Sequence, residues 1–445
     1  MTTKPLITLT TIAALCCCTD CRADVPGWLE ADSAAAIAKR TAGDFPYTVE
    51  EASEIIRADF PDITDAQIAD FIQKKYLETK DFNGQKRVFR KGPRNLMLLN
   101  PEMNGGVTSR GATASPKRIS YVDSVLSYYH GNNPTGAAHK VRYRFTIEVP
   151  WHPALKGDTL RVWMPLPHRS ARQDHIRITD ATPARYIVSD STQSVHHTVY
   201  FEQPVRDGES TLLSYEGEFI TRGQYFSPDY IRRNIRSYDT DSELYRRYTA
   251  AEYPHMPCMK QLARSIVGGE NDPYRCSEMV YDYIIQNYLW AGAREYSTIE
   301  CIPEYVVTER HGDCGQVSLL YISMMRSLGI PARWESGWML HPGEKNYHDW
   351  AEVYFEGVGW VPVDVSFGRY SNSSDPAVQR FYSTGMDAHR FASNRGVCGE
   401  LYPAKRFVRS ETVDFQPGEV ECSRGNLFYP AWNQNFEIIE ILPVE

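Results

Sequence analysis

Beyond Cys18 the chain has no apolar run long enough to cross a bilayer, so no membrane-spanning helix is expected after the N-terminal segment. It has no surplus of positive charge. Lys and Arg number 48 against 56 Asp and Glu, a net charge of -8, and no basic face stands out to neutralise phosphates. That argues against a nucleic-acid binder. No CxxC or HExxH spacing occurs past the N-terminal segment, so no structural zinc site, other metal or cofactor is expected. Internal repeats and low-complexity tracts are also missing, which argues against a repeat array.

What is present is globular in character. Hydrophobic residues make up 42%, charged residues 23% and aromatics 12% of 445 residues, enough for about three domains. Lys4 followed by the apolar run Leu6 to Cys18 suits a secretory leader. Cys21-Arg22-Ala23 offers a cleavage point after Ala23. Leu15-Cys16-Cys17-Cys18 is an imperfect lipoprotein box, with a lipid anchor as the alternative ending. A secreted, periplasmic or cell-surface protein is expected. Of ten cysteines, Cys258, Cys276, Cys301, Cys314, Cys398 and Cys422 lie beyond the leader. An oxidising compartment permits Cys258–Cys276 or Cys398–Cys422 bridges, and the spacing leaves the connectivity open.

Five segments emerge. Residues 1–23 form the leader, and 24–125 a helical N-terminal domain with a linker. Thr48-Val-Glu-Glu51 and Thr64-Asp-Ala-Gln67 each fit a capping box there. Ile68, Phe71, Ile72 and Tyr76 share a helical face, and the Gly/Ser/Thr-rich stretch 104–116 reads as a loop. Residues 136–225 read as a β-sandwich: Val141, Tyr143, Phe145, Ile147 and Val149 alternate with polar residues, and Leu160, Val162 and Met164 repeat the pattern. Residues 226–372 carry the chemistry. Residues 373–445 read as a strand-rich extension packed on that core.

The informative stretch is 311–368. His311-Gly-Asp-Cys314-Gly precedes Val317, Leu320, Tyr321, Met324, Met325 and Leu328, the apolar stripe of an amphipathic helix that Gly329-Ile-Pro331 ends. Cys314 thus sits at a helix N-terminus, where free N–H groups favour a thiolate. Asn346 to Phe355 reads as a strand, Glu356 to Gly359 as a hairpin turn and Trp360 to Val365 as the returning strand. His348 and Asp364 then fall opposite one another on neighbouring strands, and a carboxylate there can hold one imidazole nitrogen while the other faces a thiol. That is the logic of a nucleophile, its base and an orienting acid. Alone, each residue has a plainer reading: a buried inert cysteine, a surface histidine, an edge carboxylate.

The order and context of these segments resemble the transglutaminase-like superfamily. Gly312-Asp-Cys-Gly with Leu328-Gly-Ile-Pro-Ala-Arg333 is similar to its nucleophile segment. His348-Asp-Trp-Ala-Glu-Val-Tyr354 and Gly359-Trp-Val-Pro-Val-Asp364 are similar to its His and Asp segments. The resemblance spans about residues 240–370. It implies an α+β fold, a papain-like core with the nucleophile helix on an antiparallel sheet, preceded by a helical region and a β-sandwich. It also implies Cys314 as nucleophile, His348 as base and acid, and Asp364 as orienter. Asp349 departs from the usual Ala or Ser and adds a carboxylate beside the base. The backbone N–H of Cys314 is one oxyanion donor, and Tyr288 or Trp290 could be the other unless they pack the core. His311 reads as a loop residue. Trp338, Trp350 and Trp360 either line the cleft or pack the sheet.

Exported members of the cysteine-protease-like branch suit this architecture best. The expectation is a hydrolase that cleaves peptide or side-chain amides through an acyl-enzyme, on a peptide or protein substrate, cell-wall or glycan-linked ones included. The first alternative is acyl transfer to an amine, that is, protein-glutamine cross-linking. Against it, the loop Ser371–Asp375 holds one carboxylate rather than a calcium-binding cluster. The second is a silent scaffold whose sandwich binds a glycan or protein, which would have no need of an intact Cys/His/Asp set. An arylamine acetyltransferase shares the triad, but the leader and accessory domains do not suit it.

Overall fold

A computed structural model describes residues 29–30, 33–129, 134–250 and 257–444. The leader read at 1–23 lies outside the described residues. No described helix is long and apolar enough to cross a membrane. The architecture is α+β.

The N-terminal region is mainly helical, with helices Ser33–Asp44, Val49–Asp59, Asp65–Gln73, Gly92–Leu99 and Pro116–Ser127. Both capping boxes form. Thr48 Oγ1 accepts from Glu51 N–H at 3.1 Å while Glu51 Oε2 accepts from Thr48 N–H at 2.8 Å. Thr64 and Gln67 repeat the exchange at 3.3 and 2.9 Å. Ile56, Ile68, Phe71, Leu77, Val88 and Leu96 make a small core. The third helix stops at Gln73, and Tyr76 follows Lys75 in left-handed backbone, so it only partly joins that face. Unexpectedly, a hairpin interrupts the helices. Thr79–Phe82 pairs with Gln85–Val88 through Asn83-Gly84, both at positive φ. Asn-Gly is a strong two-residue hairpin signal, here hidden in a charged stretch with little alternation.

Strand Thr135–Val149 lies between Thr211–Tyr225 and Asn433–Val444, antiparallel to both. The expected alternation is present: Val141, Tyr143, Phe145, Ile147 and Val149 are buried, while Arg144 reaches outward to Glu216 and Glu437. The facing sheet contains Thr159–Pro165, Thr198–Pro204 and Glu419–Glu421. The tail is therefore divided: Arg390–Asn394 enters the sheet beneath the site, whereas the strands after Gly418 complete the sandwich.

The third unit is a four-stranded antiparallel sheet, in the order Gly359–Val363, Asn346–Phe355, Ala332–Met339, Arg390–Asn394. The helix Cys314–Ser327 packs on it, enclosed by helices Pro257–Val267, Pro273–Asn287 and Ile302–Glu309. Val317, Leu320, Tyr321, Met324 and Met325 are buried as expected, but so are Leu319 and Ile322 on the opposite side. With neighbours all round, this is a central helix rather than a surface one. Cys276 and Cys422 carry free thiols, so neither anticipated bridge forms.

Candidate active site

Cys314 opens its helix directly after the N-cap Asp313. Asp313 Oδ1 accepts from Gln316 N–H at 3.0 Å, Gln316 Oε1 accepts from Asp313 N–H at 3.1 Å, and Tyr296 Oη donates to Asp313 Oδ1 at 2.6 Å. The chain just before the cap forms a short parallel pair, Leu289↔His311 and Trp290↔Gly312. Arg110, nearly fully buried, donates through Nη2 to the carbonyls of Leu289 and Gly312. Burial draws its guanidinium down to about 10, offset by Asp313. The stretch 104–116, read as a loop, is thus a wall of the site. Its glycine-rich composition serves a close approach: a Cβ on Gly111 would lie 1.9 Å from Phe367 O.

His348 lies on strand Asn346–Phe355, with Nε2 2.7 Å from Asp364 Oδ2. The hairpin pairs Ala351 with Val363 and Phe355 with Gly359, so its three-residue loop is centred on Gly357. Asp364 lies one step past the last paired residue, diagonal to His348 rather than opposite it, because the turn sits one residue later than the sequence suggested. The even spacing still leaves both on one face. Asp364 is fully buried; its Oδ1 accepts from Ser366 N–H at 3.1 Å, and Arg390 Nη1 stands 3.2 Å from Oδ2. Burial holds His348 below its usual range, opposed by Asp364, which favours a neutral imidazole with Nδ1 available as a base.

The thiol has a different partner. Cys314 Sγ donates to Asp349 Oδ2 at 3.3 Å, and among the described residues no hydrogen bond joins Cys314 to His348. Asp349 Oδ1 accepts from Gln416 Nε2 at 2.6 Å. Burial, with Asp414 and Asp313 nearby, pushes the Asp349 carboxyl well up, and burial with Asp349 and Asp313 pushes the Cys314 thiol well up. Both displacements favour the protonated thiol over the thiolate. Gly315 makes the approach possible: a Cβ there would lie 2.2 Å from Tyr296 Oη and 2.6 Å from Asp349 Oδ2.

Cys314, His348 and Asp349 line one cleft of about 920 Å³ with Trp290, Arg110 and Gln416, a volume suited to a peptide-sized ligand. Trp290 is partly exposed there, whereas Tyr288 is buried against Tyr283 in the helical core. Trp338 and Trp350 are buried and Trp360 covers Arg333, so all three pack the sheet. His311 is buried against Tyr305, not in a loop, and burial takes it down to about 4. Arg110, Gln416, Asp414 and Arg390 escaped the sequence reading. They come from a loop and from the tail, and no spacing ties them to Cys314.

Residues 260–365 match the family model of the transglutaminase-like superfamily and form a transglutaminase-like domain. An uncharacterized protein of Haemophilus influenzae is 26% identical over 232 residues, 43% of this chain and 61% of its own length. The uncharacterized protein YebA of Bacillus subtilis is 28% identical over 107 residues, 19% of this chain and 14% of its own length. The chain thus spans about three fifths of the first relative and a seventh of the second. Among solved structures, a protein described as a candidate cysteine protease from Cytophaga hutchinsonii aligns at 17% identity and TM-score 0.46, covering 69% of this chain and 91% of that one. The periplasmic domain of TgpA from Pseudomonas aeruginosa aligns at 16% identity and TM-score 0.29, covering 59% and 95%.

Proposed function

We propose, with the transglutaminase-like domain as premise, that this chain is an exported cysteine hydrolase that cleaves peptide or side-chain amides through Cys314, His348 and Asp364. The observation that carries this reading is a buried imidazole held at Nε2 by a buried carboxylate, in one cleft with a cysteine at a helix N-terminus. In the first step the Cys314 proton passes to His348 Nδ1 and sulfur adds to the carbonyl carbon. Collapse breaks the C–N bond, and the imidazolium gives its proton to the leaving amine. Water, deprotonated by His348, then releases the acid and regenerates the thiol. Asp364 keeps the proton on Nε2 and stabilises the transient imidazolium. The Cys314 N–H, free at the helix start, faces the developing oxyanion.

Incubation with a peptide library, with and without a fluorescent primary amine, tests the reading. Release of new amino termini, lost in Cys314→Ala, is expected. Incorporation of the amine in place of hydrolysis would select the cross-linking alternative. Neither product, together with iodoacetamide labelling of Cys314 that His348→Ala leaves unchanged, would overturn the enzyme reading and leave a binding scaffold.

A further inference from the structure

A second group of chemically competent side chains lies behind His348. His341 follows strand Ala332–Met339, and Asp387 and His389 precede strand Arg390–Asn394. Those strands are paired, Met339 against Arg390, and Leu340 N–H donates to His389 O at 2.9 Å. The pairing brings a D-x-H segment beside a distant histidine. One ligand atom from each of His341, Asp387 and His389 lies within 4.8 Å of the others, and all three residues are buried. Asp387 Oδ1 is 3.1 Å from His341 Nε2 and 3.8 Å from His389 Nδ1. These distances are short, yet neither ring nitrogen of His341, nor Nδ1 of His389, completes a hydrogen bond. Buried nitrogens in that state are costly.

We propose that His341, Asp387 and His389 form a site for a divalent transition metal of the zinc class. Tetrahedral donors bonded at about 2.0–2.1 Å stand ~3.4 Å apart, a value the two measured edges straddle. Two imidazoles and a carboxylate suit zinc and neighbouring first-row ions better than calcium or magnesium. The carboxylate is fixed as a metal ligand would be: its outer oxygen Oδ2 accepts from Tyr382 Oη at 3.0 Å and from Arg390 Nε and Nη2 at 3.1 and 2.6 Å, while Oδ1 accepts from His389 N–H at 2.8 Å and turns its remaining lone pair toward the imidazoles. His139 borders the cluster, its ring 5.0 Å from that of His389 and its buried Nδ1 also lacking a hydrogen bond. Because Arg390 bridges Asp387 and Asp364, a metal here would brace a positioning residue of the cleft. The sequence hides the site because its ligands follow no recognised zinc spacing.

The full chain bearing Cys314→Ala, which removes the cleft thiol as a competing ligand and needs no activity, is stripped with chelator and dialysed against Zn²⁺ or Co²⁺. Retention of about one metal per chain is expected, with a visible Co²⁺ spectrum of low coordination number. In His389→Ala and Asp387→Asn, affinity should fall at least about tenfold while the metal-free circular dichroism is unchanged. Absence of retained metal and of a Co²⁺ band, or equal binding in folded variants, overturns the proposal. Should both variants fail to fold, His341→Gln and the Co²⁺ spectrum of the Cys314→Ala chain decide by the same criteria.

Discussion

Replacing Asp349 by Asn removes a carboxyl whose Oδ2 lies 3.3 Å from Cys314 Sγ and leaves an amide of nearly the same shape. The amide oxygen can keep the Gln416 Nε2 donor, which turns its NH2 toward the sulfur. Two unit charges 3.3 Å apart repel by about 5 kcal/mol at an effective dielectric of ~20. The wild-type pair avoids this by retaining a proton, in keeping with the upward displacement of both groups. The variant has no such repulsion and offers the thiolate a donor. Relief of even a third of that energy corresponds to roughly tenfold more thiolate near neutrality. Iodoacetamide alkylation of Cys314 at pH 7, followed by peptide mapping, should therefore accelerate at least about tenfold over wild type. The buried free thiols Cys276 and Cys422 serve as internal references. Unchanged or slower alkylation of Cys314 in a folded variant would refute the argument that Asp349 restrains the nucleophile.

Asp364→Asn should lower amide hydrolysis by about 10²–10⁴-fold with little change in KM, because the imidazole loses the partner that fixes its tautomer; steady-state kinetics check this. Gly315→Ala crowds Tyr296, Asp349 and Trp334 and should cost about 1–3 kcal/mol, measured by thermal melts. Thr64→Ala removes a formed capping box and should cost about 1 kcal/mol, read from urea titrations. Burial holds His311 and His197 neutral, each displaced from 6.5 to about 4. Between those values the unfolded chain binds more protons, so their contribution falls as pH drops from about 6.5 toward 4. Glu78 and Glu411, raised to about 7 by burial, act oppositely between about 4.5 and 7. The His311 part is isolated by comparison with His311→Gln: the stability of wild type relative to the variant should shrink on acidification, and a constant difference in urea titrations would count against it.

Much of what was legible is short-range. The Thr48 and Thr64 caps depend on residues three apart, and the buried alternation of Val141 to Val149 depends on a two-residue period, so both can be read without the rest of the chain. The Asn83-Gly84 hairpin is also encoded locally, yet it is masked because its strands carry Lys and Asp rather than alternating apolar residues. The all-round burial of Cys314–Ser327 was less visible. Its apolar stripe reports one partner, while three helices and a sheet surround it.

The sequence by itself determined the helix that opens with Cys314, the strand that carries His348 and the hairpin that returns toward Asp364, though not its register, because propensity, capping and hairpin chemistry act within a few residues. Only the tertiary structure decided that the tail shares its strands between the sandwich and the sheet below the site, that the resting thiol donates its hydrogen bond to Asp349 rather than to His348, and that Arg390 joins Asp364 to Asp387. Partner choice between distant strands, and the burial that sets a proton's preference, arise from how the elements are brought together, and no period or motif in the chain states them.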